Sequence, residues 1–372
     1  MSKDLMSLYR IKNELLCFGM SVDADVIKYI ENINPYTCKE KYVHAAGFCL
    51  EGKICVNTTF TEMYTSSSPY TVRKKGNGLY LFRDNEGLCD IQVIKMPEWY
   101  NNYTSLGTRM YDILNVHGKN VLALTHYSDC YYNSIGKPCK FCSFTENYEM
   151  RKKSKEDRIQ EIVETLDVAL VENPNYSLAL SEGAKPSADR GILYFAEIIN
   201  SVKRKFHEIK ISVETVPPPE DKYLDYLFSQ GASSIIMNIE FWDNQIKKKM
   251  CPGKSEIGIA RYFEALEHSV DIFGIGNVAS VLIAGIEPID NTILCSEKLL
   301  EIGVIPIIIP FKPYDNCELS KGKITSPEVL EIIASRISKK IRELHFPLIN
   351  PFGCIGCGSC NITNFYEKIV GY

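Results

Sequence analysis

Strand-length apolar segments alternate with amphipathic helices from residue 119 onward, and this alternation limits the folds that the chain can adopt. The predicted strands cover residues 121–125, 177–180, 210–215, 234–240, 278–286 and 304–310. Because they are almost continuously apolar and are separated by helices, they are typical of a parallel sheet covered by helices. Six strand–helix units fall short of a closed (β/α)8 barrel. We therefore predict an α/β fold with a partial (β/α)6 barrel, whose functional residues lie at the carboxyl ends of the strands.

The segments on either side of this alternation have other patterns. Residues 4–33 repeat leucine and isoleucine at helical spacing, whereas residues 42–96 contain short strands separated by turn residues such as glycine and asparagine. We therefore predict three parts. Residues 1–117 form an N-terminal helical and small antiparallel β region, residues 118–345 form the barrel, and residues 346–372 form a C-terminal cysteine-rich tail.

Composition points to a cytoplasmic protein with metal or redox chemistry. The apolar runs are too short to span a bilayer, so we expect no membrane partner. The net charge of -4 provides no bulk basic field, so nucleic acid is not an expected partner. The chain has 14 cysteines. In a reducing cytoplasm, clustered cysteines bind metals or carry out redox chemistry more often than they form disulfides.

Three cysteines follow the first predicted barrel strand with the spacing C-x8-C-x2-C, namely Cys130, Cys139 and Cys142. Three close thiolates can hold three corners of a cube-shaped iron–sulfur cluster and leave one iron open. Their position after the first strand predicts a site at the mouth of the barrel. Structural zinc is an alternative that needs a fourth ligand, either His126 or a remote residue. Chance spacing is the other alternative.

A second group of cysteines, Cys354, Cys357 and Cys360, has the spacing C-x2-C-x2-C and lies in the tail. This spacing matches the first three positions of the bacterial ferredoxin run, and the interleaved glycines permit the tight backbone that surrounds a cluster. We predict an iron–sulfur site, with zinc and free thiols as alternatives. Cys317, in the loop after the sixth strand, is the candidate fourth ligand. Alternatively, the fourth iron is open.

The first triad, its position and the barrel pattern together resemble the radical S-adenosylmethionine (SAM) superfamily. Members carry three cysteines after the first strand of a partial (β/α)6 barrel, and Phe141 matches the aromatic residue that the family has inside its last C-x2-C. The usual spacing is C-x3-C-x2-C, so this chain has a longer first gap. The resemblance implies a four-iron, four-sulfur (4Fe-4S) cluster whose open iron binds SAM. Reductive cleavage would yield a 5′-deoxyadenosyl radical that abstracts hydrogen from an unactivated carbon of a small-molecule substrate.

The resemblance also implies where SAM contacts lie, although the sequence names no catalytic residue. Family members have a Gly-Gly-Glu-like bend after the second strand, acidic residues at later strand ends, and an arginine that binds the SAM carboxylate. The alternative for the bend is an ordinary turn, and the alternative for the acidic residues is that they are solvated carboxylates. The alternative for the arginine is a surface ion pair. The corresponding candidates here are Phe141, Ser181, Glu182, Gly183, Glu214, Asn238, Glu240 and Arg261.

The tail motif resembles that of biotin-synthase-like and lipoyl-synthase-like members, which implies a second cluster and a sulfur-inserting transferase. Radical rearrangement or C–C bond chemistry, with the second cluster anchoring substrate, is an alternative. A non-catalytic iron–sulfur electron carrier is another. The resemblance further implies anaerobic chemistry and a reducing partner such as flavodoxin or ferredoxin. The substrate and the nuclearity of the second cluster stay open.

Overall fold

The computed structural model describes residues 4–36, 47–124, 130–142, 153–347 and 352–363. Its largest sheet has seven strands in the order β13-β12-β11-β10-β9-β8-β7. The strands from β8 to β13 are all parallel, and only β7 runs antiparallel to its neighbour. The strands are β7 (Leu114–His117), β8 (Val121–Leu124), β9 (Ser177–Ser181), β10 (Ile211–Thr215), β11 (Ser234–Met237), β12 (Val278–Ala284) and β13 (Ile305–Pro310).

Helices alternate with these strands and cover one face of the sheet. Alternate side chains of each strand, such as Leu178, Leu180, Ile211 and Val213, are fully buried on the helical side. Because consecutive strands are neighbours, this is the predicted partial (β/α)6 barrel; β7 is an additional edge strand. No described helix is long and apolar enough to cross a membrane. The helices are α3 (Tyr131–Ser134), α4 (Lys155–Glu172), α5 (Ile192–Lys205), α6 (Lys222–Ser229), α7 (Asn244–Met250), α8 (Pro252–Ser255), α9 (Ile259–Phe273), α10 (Ile289–Glu301) and α11 (Pro327–Glu343).

The N-terminal region contains two helices and a six-stranded sheet in the order β1-β4-β5-β6-β2-β3. Asp4 and Asp23 cap the two helices, since each carboxylate accepts a backbone N–H from the first turn. All strand pairs are antiparallel except β1 with β4. The limits of the three parts, at residues 117/118 and 345/346, stay predictions. The elements are α1 (Leu5–Phe18), β1 (Ser21–Val22), α2 (Ala24–Ile33), β2 (Gly47–Leu50), β3 (Ile54–Asn57), β4 (Tyr70–Lys75), β5 (Gly78–Arg83) and β6 (Glu86–Val93).

Small side chains line the inner face of the barrel sheet around β8, β9 and β10. Ala123 pairs with Ala179, Ala179 with Ser212, and Ser212 with Ser234. Because residues in register on neighbouring parallel strands point to the same face, these four side chains form one row. A row of alanines and serines leaves space in the lumen that larger residues would fill.

A short tail helix, α12 (Gly353–Cys357), occupies this space. A Cβ on Gly353 would lie 2.3 Å from the Cβ of Ser212, and the Gly353 φ of 63° also favours glycine. The N–H of Gly353 donates to the Ser177 hydroxyl over 3.3 Å. Both serines stand at or near the start of their strands, so the tail lies in the lumen towards the amino ends of the strands.

Candidate cluster and cofactor site

Lys140 attaches the C-x2-C turn of the first cysteine triad to two other loops. Its N–H donates to the carbonyl of Met250 over 2.9 Å, and its carbonyl accepts from the N–H of Leu319 over 3.2 Å. The turn itself closes where the Cys142 N–H donates to the Cys139 carbonyl over 3.0 Å. Met250 follows β11 and Leu319 follows β13, so the turn lies at the carboxyl end of the sheet, as predicted for this loop.

Gly183 allows the bend after β9 to contact Cys130, the first cysteine of the triad. A Cβ at this position would lie 2.5 Å from the Cα of Cys130 and 2.7 Å from its nitrogen. The Tyr131 N–H also donates to the Ala184 carbonyl over 2.7 Å. The bend and the cysteine loop therefore form one backbone unit, and only glycine permits this close approach.

We expect Gly183→Ala to remove the first cluster while the protein stays folded. Gly183 is not in the left-handed backbone region, so the effect comes from lost space. The added methyl would meet backbone atoms that cannot rotate away, at a cost of about 1–3 kcal/mol of strain. Iron per chain should fall by about half, as for the loss of one of two four-iron clusters. Gly78→Ala is the control, since a Cβ there meets nothing within 4 Å. Equal iron in the two variants would contradict this role for Gly183.

An apolar cluster surrounds the first triad on its inner side. The ring of Phe141 meets that of Phe241 edge to face, with centroids 5.9 Å apart. Phe241 is buried together with Ile283 and Phe311, and Cys139 packs against this group. Water is therefore excluded from one side of the cysteine loop, which strengthens electrostatic interactions there.

Two neighbours favour the thiolate form of Cys139. A hydrogen bond with the Cys251 thiol and, more weakly, the ammonium of Lys254 lower the pKa of Cys139, although burial opposes them. A thiolate is the form that binds metal, so these neighbours suit a cluster ligand. Burial, followed by the same hydrogen bond, raises the pKa of Cys251, so Cys251 acts as the donor of the pair.

Polar side chains at the strand ends are connected into two pairs. Lys254 donates to Glu240 over 2.7 Å, and their side chains are only 18% and 5% exposed. Asn238 donates to Glu214 over 2.7 Å and accepts from the N–H of Val281 over 3.3 Å. The structure therefore brings together three of the residues predicted to contact SAM, namely Glu214, Asn238 and Glu240, and adds Lys254.

Glu214 lies between the tail and the polar side chains at the strand ends. It stands two residues beyond Ser212 on the inner face of β10, and Ser212 contacts the tail helix. Its carboxylate interacts electrostatically with Cys354 and Cys360 of the tail and also with Lys254. Burial raises the pKa of Glu214, while the hydrogen bond from Asn238 lowers it. A carboxyl group therefore lies between the tail and the polar side chains at the strand ends.

Other predicted residues have protein partners. Glu182 forms a buried ion pair with Arg158 at 3.7 Å. The Nε of Arg261 donates to the Pro218 carbonyl over 2.9 Å, and its guanidinium also contacts Asp221. Ser181 ends β9 beside the bend. Their contacts with SAM stay predictions.

Cys317 is buried in the loop that follows β13. Its N–H donates to the Tyr314 carbonyl over 3.1 Å. Burial raises the pKa of its thiol. Its role as a cluster ligand stays a prediction.

The cysteine loop has the chemistry and the backbone that a cluster needs. It supplies three thiols, and the glycine bend holds Cys130 against the second strand. In the described part of the chain, no three His, Cys, Asp or Glu side chains converge closely enough to hold a metal ion. The thiols must therefore turn toward a common centre when iron binds. Candidate ligand His126 lies outside the described residues.

Sequence reasoning missed Lys254 and Cys251, which belong to the site. Both occur in the segment Cys-Pro-Gly-Lys after β11, and the glycine of this segment packs on the Tyr132 ring. Both residues lie in the loop after the fourth barrel strand, and this position was the one sequence signal that pointed to the site. Nothing in the sequence shows that the lysine is buried against a carboxylate.

Part of the barrel is similar to a known protein family. Residues 124–292 match the model of the radical SAM superfamily. The bacteriochlorophyllide c C-7(1)-hydroxylase of Chlorobaculum limnaeum is 24% identical to this chain. The match covers 74% of this chain and 74% of the hydroxylase.

Among solved structures, HydG, a maturase of the FeFe-hydrogenase, is similar at a TM-score of 0.44 and 16% identity, over 62% of this chain and 52% of HydG. The chain thus spans about half the length of HydG. A radical SAM methyltransferase from Sphaerobacter thermophilus is similar at 0.41 and 12% identity, over 73% of this chain and 75% of that one. These low TM-scores carry no functional weight.

Proposed function

We propose that this chain, whose residues 124–292 match the model of the radical SAM superfamily, is an enzyme that uses a 4Fe-4S cluster and SAM. It abstracts hydrogen from an unactivated carbon of a small molecule bound in the barrel lumen. Cys130, Cys139 and Cys142 would hold the cluster. The observation that carries the proposal is the close approach of Gly183, in the bend after β9, to the backbone of Cys130.

When bound, the cluster and SAM supply the electron and the 5′-deoxyadenosyl radical. The chain's own residues bind, orient and exclude water. The apolar group around Phe241 keeps solvent from the first triad. Carbonyls of the bend at Gly183 and the carboxylate of Glu240 are acceptors for the ammonium and hydroxyl groups of SAM. Glu214, whose pKa burial raises, can exchange a proton with the substrate.

Sulfur insertion is the form of this reaction that the tail supports. The tail cysteines lie in the same lumen as Glu214, so a cluster there would be close to the carbon that loses hydrogen. A sulfide donated by that cluster would need no transport through solvent. Product formed in the presence of cluster labelled with heavy sulfide would carry the label, and an unlabelled product would exclude insertion.

Hydroxylation is a second candidate, favoured by one relative. The Chlorobaculum limnaeum protein is named as a hydroxylase of bacteriochlorophyllide c, and hydroxylation can also begin with loss of hydrogen from carbon. The two candidates differ in the atom that is added to the product. Mass spectrometry of the product, after incubation in heavy-oxygen water or with heavy sulfide, separates them.

The test of the shared step is SAM cleavage. Anaerobically reconstituted protein, reduced with dithionite, should convert SAM to 5′-deoxyadenosine and methionine. The variant lacking Cys354, Cys357 and Cys360 should retain this cleavage in the absence of substrate, since the first triad is anchored by other loops. Absence of 5′-deoxyadenosine from the unmodified protein with full iron would overturn the proposal. Loss of cleavage in a folded tail variant would show that the tail serves the first cluster instead.

A further inference from the structure

The strand β3 of the N-terminal region joins the tail. The N–H of Asn57 donates to the carbonyl of Ser359 over 2.8 Å. Cys55 precedes Asn57 by two residues, so both side chains point to one face of the strand. Cys55 and Cys357 also line the same cavity of about 960 Å³, at the amino ends of β8 and β9. A cysteine outside the predicted tail motif is therefore next to that motif.

A buried lysine connects these thiols. Lys12 on α1 is 1% exposed, and its ammonium donates to the carbonyl of Gly358. It interacts electrostatically with Cys360, Cys357 and Cys55, while burial lowers the pKa of Lys12 to about 8. One buried ammonium thus bonds to the tail backbone beside Cys357 and interacts electrostatically with two tail thiols and with Cys55.

A second buried lysine approaches from the barrel. Lys312, after β13, is 7% exposed and donates to the Asn57 carbonyl over 3.3 Å. It also interacts electrostatically with Cys360. A 4Fe-4S cluster with four thiolate ligands carries a net charge of about −2 in its oxidised form. Two buried ammonium groups are the compensation that such a charge requires in a low-dielectric interior.

We propose that Cys55 is the fourth ligand of a 4Fe-4S cluster held by Cys354, Cys357 and Cys360, in preference to Cys317. Each thiol releases its proton to water as its sulfur–iron bond forms. The inference rests on the tail cluster of the proposed function. It deepens that function, because a cluster with four protein ligands has no open iron. It can donate sulfide or relay electrons, but it cannot anchor a substrate through iron.

The chain offers two matched controls. Cys49 is the direct cross-strand partner of Cys55 on β2, and their thiols are hydrogen-bonded. Replacing it disturbs the same hairpin without removing the proposed ligand. Cys317 is the competing candidate from the sequence, and it lies in a different loop.

The experiment isolates the tail cluster by using the variant Cys130→Ala/Cys139→Ala/Cys142→Ala as background. Reconstituted without oxygen, this background should hold about four irons per chain. Adding Cys55→Ala should lower iron to about three or fewer and change the electron paramagnetic resonance spectrum to that of a three-iron cluster. Adding Cys49→Ala or Cys317→Ala should leave both unchanged. Full iron with Cys55→Ala, or loss with Cys317→Ala alone, would overturn the proposal. A background without iron would overturn the tail cluster and the inference with it.

Thiol alkylation tests the same ligand without a substitution at Cys55. In the loaded background protein, iodoacetamide should leave Cys55 unmodified. After iron is removed with a chelator, Cys55 should be alkylated together with the tail cysteines, as measured by mass spectrometry of peptides. Equal alkylation of Cys55 before and after chelation, while the tail cysteines change, would contradict ligation by Cys55.

Discussion

Replacing Cys130, Cys139 and Cys142 together with alanine should abolish SAM cleavage and remove about half of the iron. With two four-iron clusters, iron should fall from about eight to about four per chain. Cleavage should be lost completely, because the open iron that binds SAM belongs to the cluster that these three thiols would hold. Iron analysis and 5′-deoxyadenosine formation under anaerobic reducing conditions give the two measurements.

The control for this variant removes two cysteines that are buried in the core outside both cysteine groups. Cys89 and Cys295 are 1% and 0% exposed in the core, and Cys89→Ala/Cys295→Ala should retain both iron and cleavage. Stoichiometric zinc in protein purified without oxygen, with no iron, would contradict the assignment. Cleavage by the triple variant would contradict it equally.

Lys254→Met should destabilise the iron-free protein by about 3 kcal/mol. The substitution leaves the carboxylate of Glu240 without its ion-pair partner in a site where the side chain is 5% exposed. Removing one partner of a buried pair typically costs about 3–5 kcal/mol. The lower figure applies because the Lys254 side chain retains some solvent contact. Urea unfolding under reducing conditions measures the change.

Lys137→Met is the matched control for the buried pair. Lys137 also pairs with a glutamate, Glu256, but their side chains are 46% and 59% exposed. Loss of an exposed pair costs less than about 1 kcal/mol. The double variant Lys254→Met/Glu240→Gln should recover part of the stability, since it removes the unpaired charge. Equal unfolding midpoints for Lys254→Met and Lys137→Met would show that burial does not govern the pair.

The barrel was predictable because the strands are largely apolar and most of the longer helices are amphipathic. The six predicted strands correspond to β8–β13, and helices such as α11 (Pro327–Glu343) lie where periodicity placed them. The edge strand β7 was missed, since Leu114–His117 is short and alternates weakly. The short helices α7 and α8 were missed because they pack in a loop and have little periodicity of their own.

The cysteine groups could be found in the sequence, but their surroundings could not. Spacing identifies Cys139 and Cys142, whereas contacts between distant segments bring Lys254 beside Cys139 and Lys12 beside Gly358. From sequence alone, a lysine is expected to be a solvated surface residue. Cys55 likewise reads as a small hydrophobic residue on a strand, and only the pairing of Asn57 with Ser359 shows that it is next to the tail.

The position of α12 inside the barrel has a consequence for biosynthesis. Residues 352–363 follow nearly the whole barrel in the chain, yet they contact Lys12 near its start. Contacts between such remote segments form slowly, and they form after the ribosome has released the barrel segments. Until then the row of small side chains at Ala179 and Ser212 lacks its contact with the tail. Iron binding by the tail therefore requires that residues 352–363 have been synthesised, whereas the loop at Lys140 is complete once residue 319 has emerged.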